Sequence, residues 1–204
     1  VASATINAPV DVGLRAWTPA DAEELAAMYA ASAAELAVEE PWCGPDFLTA
    51  AGQRQRVQRC LADEAAEGFV ITLSGAIAGH LSLDRIRRDI LESADLGYWV
   101  APSERRHGVA SRAIGLAAAH AFDELGLQRI HATVDVDNVH SRQALKDNGF
   151  QRVGVIHDFE LVGDRWRDAH LYQLTADGWR GAGGGHEGNL DRGGRLIGRD
   201  SGTP

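Results

Sequence analysis

Leu96-Gly97-Tyr98-Trp99-Val100 is an apolar run, and Arg105-Arg106-His107-Gly108-Val109-Ala110-Ser111 follows it closely. The first segment reads as a strand. The second reads as a short basic loop opening a helix from Gly108 to about Leu125. Such a junction is an anion site. The first helical N–H groups have no partner inside the helix and point outward, and the helix dipole adds partial positive charge there. Gly108 has no Cβ, so a phosphate can approach the backbone. Arg105, Arg106 and Arg112 add positive charge around it.

A second segment lies downstream. Asn138-Val139-His140-Ser141 is followed by Asn148-Gly149-Phe150, with a helix and a strand separating it from the basic loop. In this order the two segments resemble the two signatures of the GCN5-related N-acetyltransferase (GNAT) superfamily. The resemblance runs from about Val12 to Trp179. It implies a GNAT fold: mixed α/β, with a central, mostly antiparallel, splayed sheet of about seven strands flanked by helices. It also implies acetyl-CoA as the acyl donor.

The remaining punctuation fits that order. Val10 to Trp17 alternates as a half-buried strand. Thr18-Pro19-Ala20-Asp21 opens a helix to about Leu36, with threonine as N-cap and proline at the first position. Pro41 to Pro45 is a break, and a second helix is predicted over Asp46 to Glu67. Phe69 to Leu73 and Ala76 to Arg85 form a hairpin around Ser74-Gly75. Ala94 to Val100 is the strand entering the basic loop, and Arg129 to Val136 is the next. Phe150 to Val162 and Arg165 to Leu174 are predicted as a final hairpin around Gly163-Asp164. Three parts follow: an N-terminal arm over residues 1–9, one acyltransferase domain over 10–180, and a glycine-rich tail over 181–204 expected to be disordered, without a fold role.

The chain has 204 residues, 45% of them hydrophobic, and a formal net charge of −9. That charge argues against nucleic acid as a general partner and favours basic ones. The two cysteines, Cys43 and Cys60, make no disulfide framework, and no apolar run approaches the ~20 residues a membrane helix needs. The expectation is a cytoplasmic protein with no membrane partner, and a homodimer is left open. The histidines show no ligand spacing with cysteine or acid, so no metal is expected.

Acetyl transfer to an amine requires a held cofactor, a polarised carbonyl, an acceptor for the amine proton, and help for the departing thiolate. By the resemblance, the backbone N–H groups of His107, Gly108, Val109, Ala110 and Ser111 hold the pyrophosphate, with Arg105 and Arg106 beside them. Tyr98, Trp99 and Val100 offer a backbone edge to the pantetheine amides. Asn138 contacts the arm or caps its helix. Many superfamily members carry a tyrosine seven residues after this asparagine as the acid for the thiolate; here Leu145 stands there. That departure fits the Rim-type branch, which acetylates N-terminal α-amines of ribosomal proteins. In that branch the serine, here Ser141, lies near the sulfur, and Glu160 matches the proposed base. Asp95, Asp135 and Asp158 are weaker base candidates.

An α-amine with a pKa near 7.8 is roughly 15% neutral at pH 7, against ~0.04% for lysine. A single modest base therefore suits an α-amine. No cysteine sits in either motif, so direct attack in a ternary complex is expected rather than an acyl-enzyme. Three alternatives stand beside a peptide N-terminus. They are a small-molecule acceptor such as an antibiotic, polyamine or amino acid; a non-catalytic CoA-binding module; and a nucleotide-phosphate binder, which the missing Gly-Lys-Ser/Thr sequence weakens.

Overall fold

The computed structural model describes residues 11–39, 43–183, 189–190 and 195–197. Its elements in chain order are β1 (Val12–Ala16), α1 (Ala22–Ala31), α2 (Ala33–Glu39), α3 (Ala50–Leu61), β2 (Glu67–Leu73), β3 (Ala76–Arg87), β4 (Ser93–Val100), α4 (Val109–Ala119), β5 (Arg129–Asp135), α5 (Val139–Asp147), β6 (Gln151–Val162), β7 (Arg165–Thr175) and α6 (Ala176–Gly181). The seven long strands form one sheet in the order β6-β7-β5-β4-β3-β2-β1. Only the β4–β5 pair is parallel.

Alternation along the strands makes two cores, one on each face. Phe69 and Ile71 join Leu14, Leu81, Leu96 and the apolar side of α4 in the larger. Val70, between them, joins Trp17, Leu25, Tyr29, Val57 and Trp99 in the smaller, under α1 and α3. The predicted hairpin turn at Ser74-Gly75 is present, with both residues at positive φ (51° and 89°) as a two-residue turn of the favoured twist requires.

Some element boundaries differ from the sequence reading. The first helix breaks at Ser32 (φ −116°, ψ 21°). The break redirects the chain so that Leu36 enters the smaller core beside Tyr29. The second helix begins at Ala50 rather than Asp46: Thr49 is its N-cap, its hydroxyl accepting from the Gly52 N–H at 3.0 Å. Pro45–Leu48 is instead a short 3₁₀ turn. Helix α4 ends in a π turn over His120–Glu124, which brings His120 Nε2 to 2.6 Å from Glu67 on β2.

The expected N-terminal arm, residues 1–9, lies outside the described residues. The glycine-rich tail was expected to have no fold role, and this is corrected in part. Two short strands within it, β8 (Asn189–Leu190) and β9 (Arg195–Ile197), extend the sheet, with β9 antiparallel to β1. Backbone pairing is open to any sequence, so apolar periodicity gave no sign of it.

The sheet opens in its middle. Strands β4 and β5 are paired at Ser93–Arg129, Ala94–Ile130 and Asp95–His131. Beyond that, β4 follows β3 as far as the Gly79–Val100 pair, while β5 follows β7 as far as Asp135–Ala169. From Leu96 onward a wedge separates them. Its mouth faces the N-termini of α4 and α5.

Candidate active site

The basic loop forms the first wall of the wedge. Gly108 is the N-cap of α4 at φ 74°, ψ 5°, a left-handed conformation that glycine adopts without cost. A Cβ built there meets nothing within 4 Å. The space over the helix N-terminus is therefore open, as an approaching phosphate needs. The Arg112 N–H already bonds the Gly108 carbonyl at 3.0 Å. The N–H groups of Val109, Ala110 and Ser111 belong to the first turn and have no carbonyl within the helix. Arg106 (φ 65°), His107 and Gly108 are exposed, whereas Val109 is buried and anchors the helix start.

Arg105 turns the other way. Its Nε donates to the Val100 carbonyl at 2.9 Å, and its guanidinium lies 5.9 Å from the Trp99 ring centroid. It ties the loop to the end of β4, leaving Arg106 and Arg112 as the exposed cations beside Gly108. Trp99 and Val100, at 4% and 6% exposure, send their side chains into opposite cores. Any service to a ligand from these two falls to the backbone.

The start of α5 forms the second wall. Asn138 is its N-cap: Oδ1 accepts from the Ser141 N–H at 3.0 Å. The Ser141 side chain has a different partner. Its Oγ lies 2.6 Å from the Tyr98 hydroxyl, across the wedge. Burial pushes the Tyr98 phenol up to about 12, with the Ser141 bond opposing, so it stays protonated. Leu145 is fully buried in the larger core and carries no hydroxyl. Asn148 Nδ2 donates to the Ser111 carbonyl (2.9 Å), the Ser111 hydroxyl (3.0 Å) and the Ala144 carbonyl (2.9 Å). This fastens α5 to the first turn of α4. The two signature segments are thus one unit.

The wedge opens into a cavity of about 580 Å³, with Tyr98, Asn138 and Ser141 at one side and Glu160 at another. Its carboxylates come from separate elements: Asp63 just past α3, Asp84 on β3, Asp135 on β5 and Glu160 on β6. Asp84 accepts from Ser82 Oγ at 2.6 Å, and Asp135 pairs with Arg167 at 3.1 Å. Among the described residues no hydrogen bond or ion pair engages the Glu160 carboxylate. Of the weaker candidates, Asp135 lines the cavity; Asp95 is held by Arg85, and Asp158 is exposed in a bulge of β6.

Sequence reasoning missed the floor. His80 lies at 7% exposure, its Nδ1 2.7 Å from the Tyr29 hydroxyl. Burial, then the charge of Arg56, holds the imidazole well below its ordinary pKa. A ring so held is neutral and accepts a proton poorly. Cys60 also lines the cavity; burial, then Asp84, pushes its thiol up, away from a nucleophilic thiolate. The nearest sequence signal for this floor was the polar alternation His80, Ser82, Asp84 on one strand face. In isolation such alternation reads as solvent-facing.

An open helix start suited to an anion, a splayed sheet beside it and a cavity beyond are the arrangement expected of an acyltransferase of the GNAT class. Residues 11–151 match the acetyltransferase (GNAT) domain family. The chain belongs to that family and is an acetyl-CoA-dependent N-acetyltransferase. It is 31% identical over 134 residues to the probable N-acetyltransferase YjcK of Bacillus subtilis, covering 63% of this chain and 74% of that one. It is 30% identical over 112 residues to the ribosomal-protein-serine acetyltransferase of Escherichia coli, covering 55% and 62% of the two chains. A structure of Mycobacterium smegmatis RimJ in complex with CoA-disulfide, 30% identical, superposes with a TM-score of 0.76 over 84% of this chain and 89% of that one.

Proposed function

We propose that the enzyme acetylates a peptide N-terminal α-amine, of the kind presented by a ribosomal protein, by direct transfer between partners meeting in the wedge. The observation that carries the catalytic half is the Tyr98–Ser141 pair, 2.6 Å apart, spanning the gap between β4 and α5. Bound acetyl-CoA supplies the acetyl group as an activated thioester.

The open N-terminus of α4 holds the pyrophosphate, and the free edge of β4 aligns the arm along the wedge. Glu160 takes the amine proton, directly or through water. The nitrogen lone pair then forms the new C–N bond as the C–S bond breaks, the electron pair leaves on sulfur, and the second proton that the nitrogen sheds as the amide forms passes to the departing thiolate or to water. Ser141 donates its hydroxyl hydrogen bond to that sulfur, while the Tyr98 phenol donates to Ser141 Oγ. A phenol near 12 lies about 3.5 units above an ordinary thiol near 8.5, so the pair stabilises the thiolate without surrendering a proton.

The acceptor assignment is supported by the similarity to the E. coli and M. smegmatis proteins of ribosomal-protein and Rim type. The single unengaged carboxylate also suits an amine of low pKa. A composition of only two cysteines accords with a cytoplasmic setting. One observation favours a second reading: Asp63, Asp84, Asp135 and Glu160 would also hold a small polycationic amine. Catalytic efficiency on unblocked peptides, blocked peptides carrying lysine, and small amines separates the two. The proposal expects unblocked peptides to react best. Reaction confined to small amines overturns it.

A further inference from the structure

Glu160 reaches the cavity because the β6–β7 ladder slips. Ile156 stands opposite Ala169, and the next pair is Glu160 opposite Arg167. Residues 157–159 therefore bulge out of β6. On an unbroken ladder Glu160 would stand opposite Arg165, two positions nearer the hairpin tip, a shift of about 7 Å. Since Ala169 pairs with Asp135 of β5, the bulge draws Glu160 back toward the wedge.

The bulge has a cause in the facing strand. Asp158 sits at φ 50°, which a side-chain-bearing residue rarely adopts unless held. Asp168 lies between the two β7 residues that define the slip. Its Oδ1 accepts from the Asp158 N–H at 3.0 Å, and its Oδ2 lies 2.7 Å from His157 Nδ1.

We propose that Asp168 is a positioning residue for acetyl transfer: by clamping the 157–159 bulge to β7 it sets the Glu160 carboxylate at the cavity. The inference rests on the reading of Glu160 as base. The Asp158 N–H first, and His157 second, hold the Asp168 carboxyl below its usual range, so the clamp is ionised throughout the neutral pH region.

The test is a double-mutant cycle. Asp168→Ala is expected to lower kcat roughly tenfold, as loss of orientation at a base does, with KM for acetyl-CoA unchanged. Asp168→Asn keeps an acceptor for the Asp158 N–H and should recover part of the loss. In a Glu160→Gln background Asp168→Ala should cost nothing further, because both changes remove the same base. If Glu160→Gln is slow while Asp168→Ala is silent, or if the two losses multiply, the clamp is wrong and the base reading stands. If Glu160→Gln is itself silent, both fall. Should Asp168→Ala fail to fold, His157→Ala removes half of the clamp from the exposed side and enters the same cycle with the same expected non-additivity.

Discussion

The two sides of the wedge are built by opposite means. The donor side comes from two near-continuous segments, 98–111 and 138–148. Its working groups are helix starts, one left-handed glycine, and side chains locked to one another: Asn148 on Ser111, Tyr98 on Ser141, Asn138 on the Ser141 N–H. The acceptor side gathers single side chains from α3, β3, β5 and β6, elements far apart in the chain. Its proposed base, Glu160, follows a bulge rather than standing on a packed helix. A backbone-built, cross-bonded site tolerates one ligand geometry. A cavity assembled from separate side chains can change its occupant by one substitution. The shared chemistry of the family therefore belongs to the first side, and the choice of amine to the second.

The largest effect is expected on the donor side. Gly108→Val places a β-branched residue at φ 74° and puts a side chain in the space left open over the helix start. Acetyl-CoA affinity should fall by roughly 100-fold or more, because backbone strain and lost approach act together. Calorimetric titration of the folded variant checks this. Unchanged affinity would remove the loop from the site.

Next comes the hydroxyl pair. Ser141→Ala should lower kcat roughly 100-fold with little change in acetyl-CoA affinity. Tyr98→Phe should cost less, roughly tenfold, because Ser141 remains with a less polarised hydroxyl. With its phenol near 12, Tyr98 should contribute no limb to the pH–rate profile below about pH 10. A Tyr98→Phe variant with full turnover would leave the contact a packing feature.

On the acceptor side, Glu160→Gln should show a loss that depends on pH. Well below the α-amine pKa near 7.8 the substrate arrives charged, and the variant should be slowed by roughly 100-fold. Above that pKa the amine arrives neutral and the defect should shrink. A constant defect from pH 6 to 9 would make Glu160 a binding residue.

The same contrast explains what could be read without coordinates. Gly108, Asn138, Asn148 and Gly149 sit at turns and caps, where local backbone demand selects the residue type, so short motifs, read together as a family resemblance, pointed to them. The mostly antiparallel sheet of about seven strands and its splay also followed, through the family resemblance; the order of the strands in it did not. The Tyr98–Ser141 bond did not, because it joins residues 43 apart and both have bland local uses, a core aromatic and a helix-start serine. His80 reads as an exposed residue of an alternating strand until α1 brings Tyr29 over it. The bulge at 157–159 was invisible for the same reason: Asp158 is an unremarkable strand residue until Asp168 meets it across the ladder.

A change outside both sides calibrates these effects. At the start of α1, Asp21 receives a bidentate Arg15 guanidinium at 2.7 and 2.9 Å and the Thr18 N–H at 2.6 Å. Burial alone would raise its carboxyl; the Arg15 and Thr18 bonds outweigh burial and hold it below the usual range. A carboxyl depressed in the folded state adds stability that is fully present above its unfolded pKa, near 3.9, and is lost as pH falls through the folded value. Asp21→Asn should therefore cost about 1–2 kcal/mol at pH 7, because an amide oxygen can still accept from Thr18 but the charge-assisted pairing with Arg15 is lost. The gap between variant and wild type should narrow below the unfolded pKa and close as pH falls through the lower folded value. Denaturant melts across that range check it, and kcat at pH 7 should stay near wild type. A variant as slow as Ser141→Ala would mean that the α1 start reaches the active site through Tyr29 and His80, and that the two sides are less independent than their construction implies.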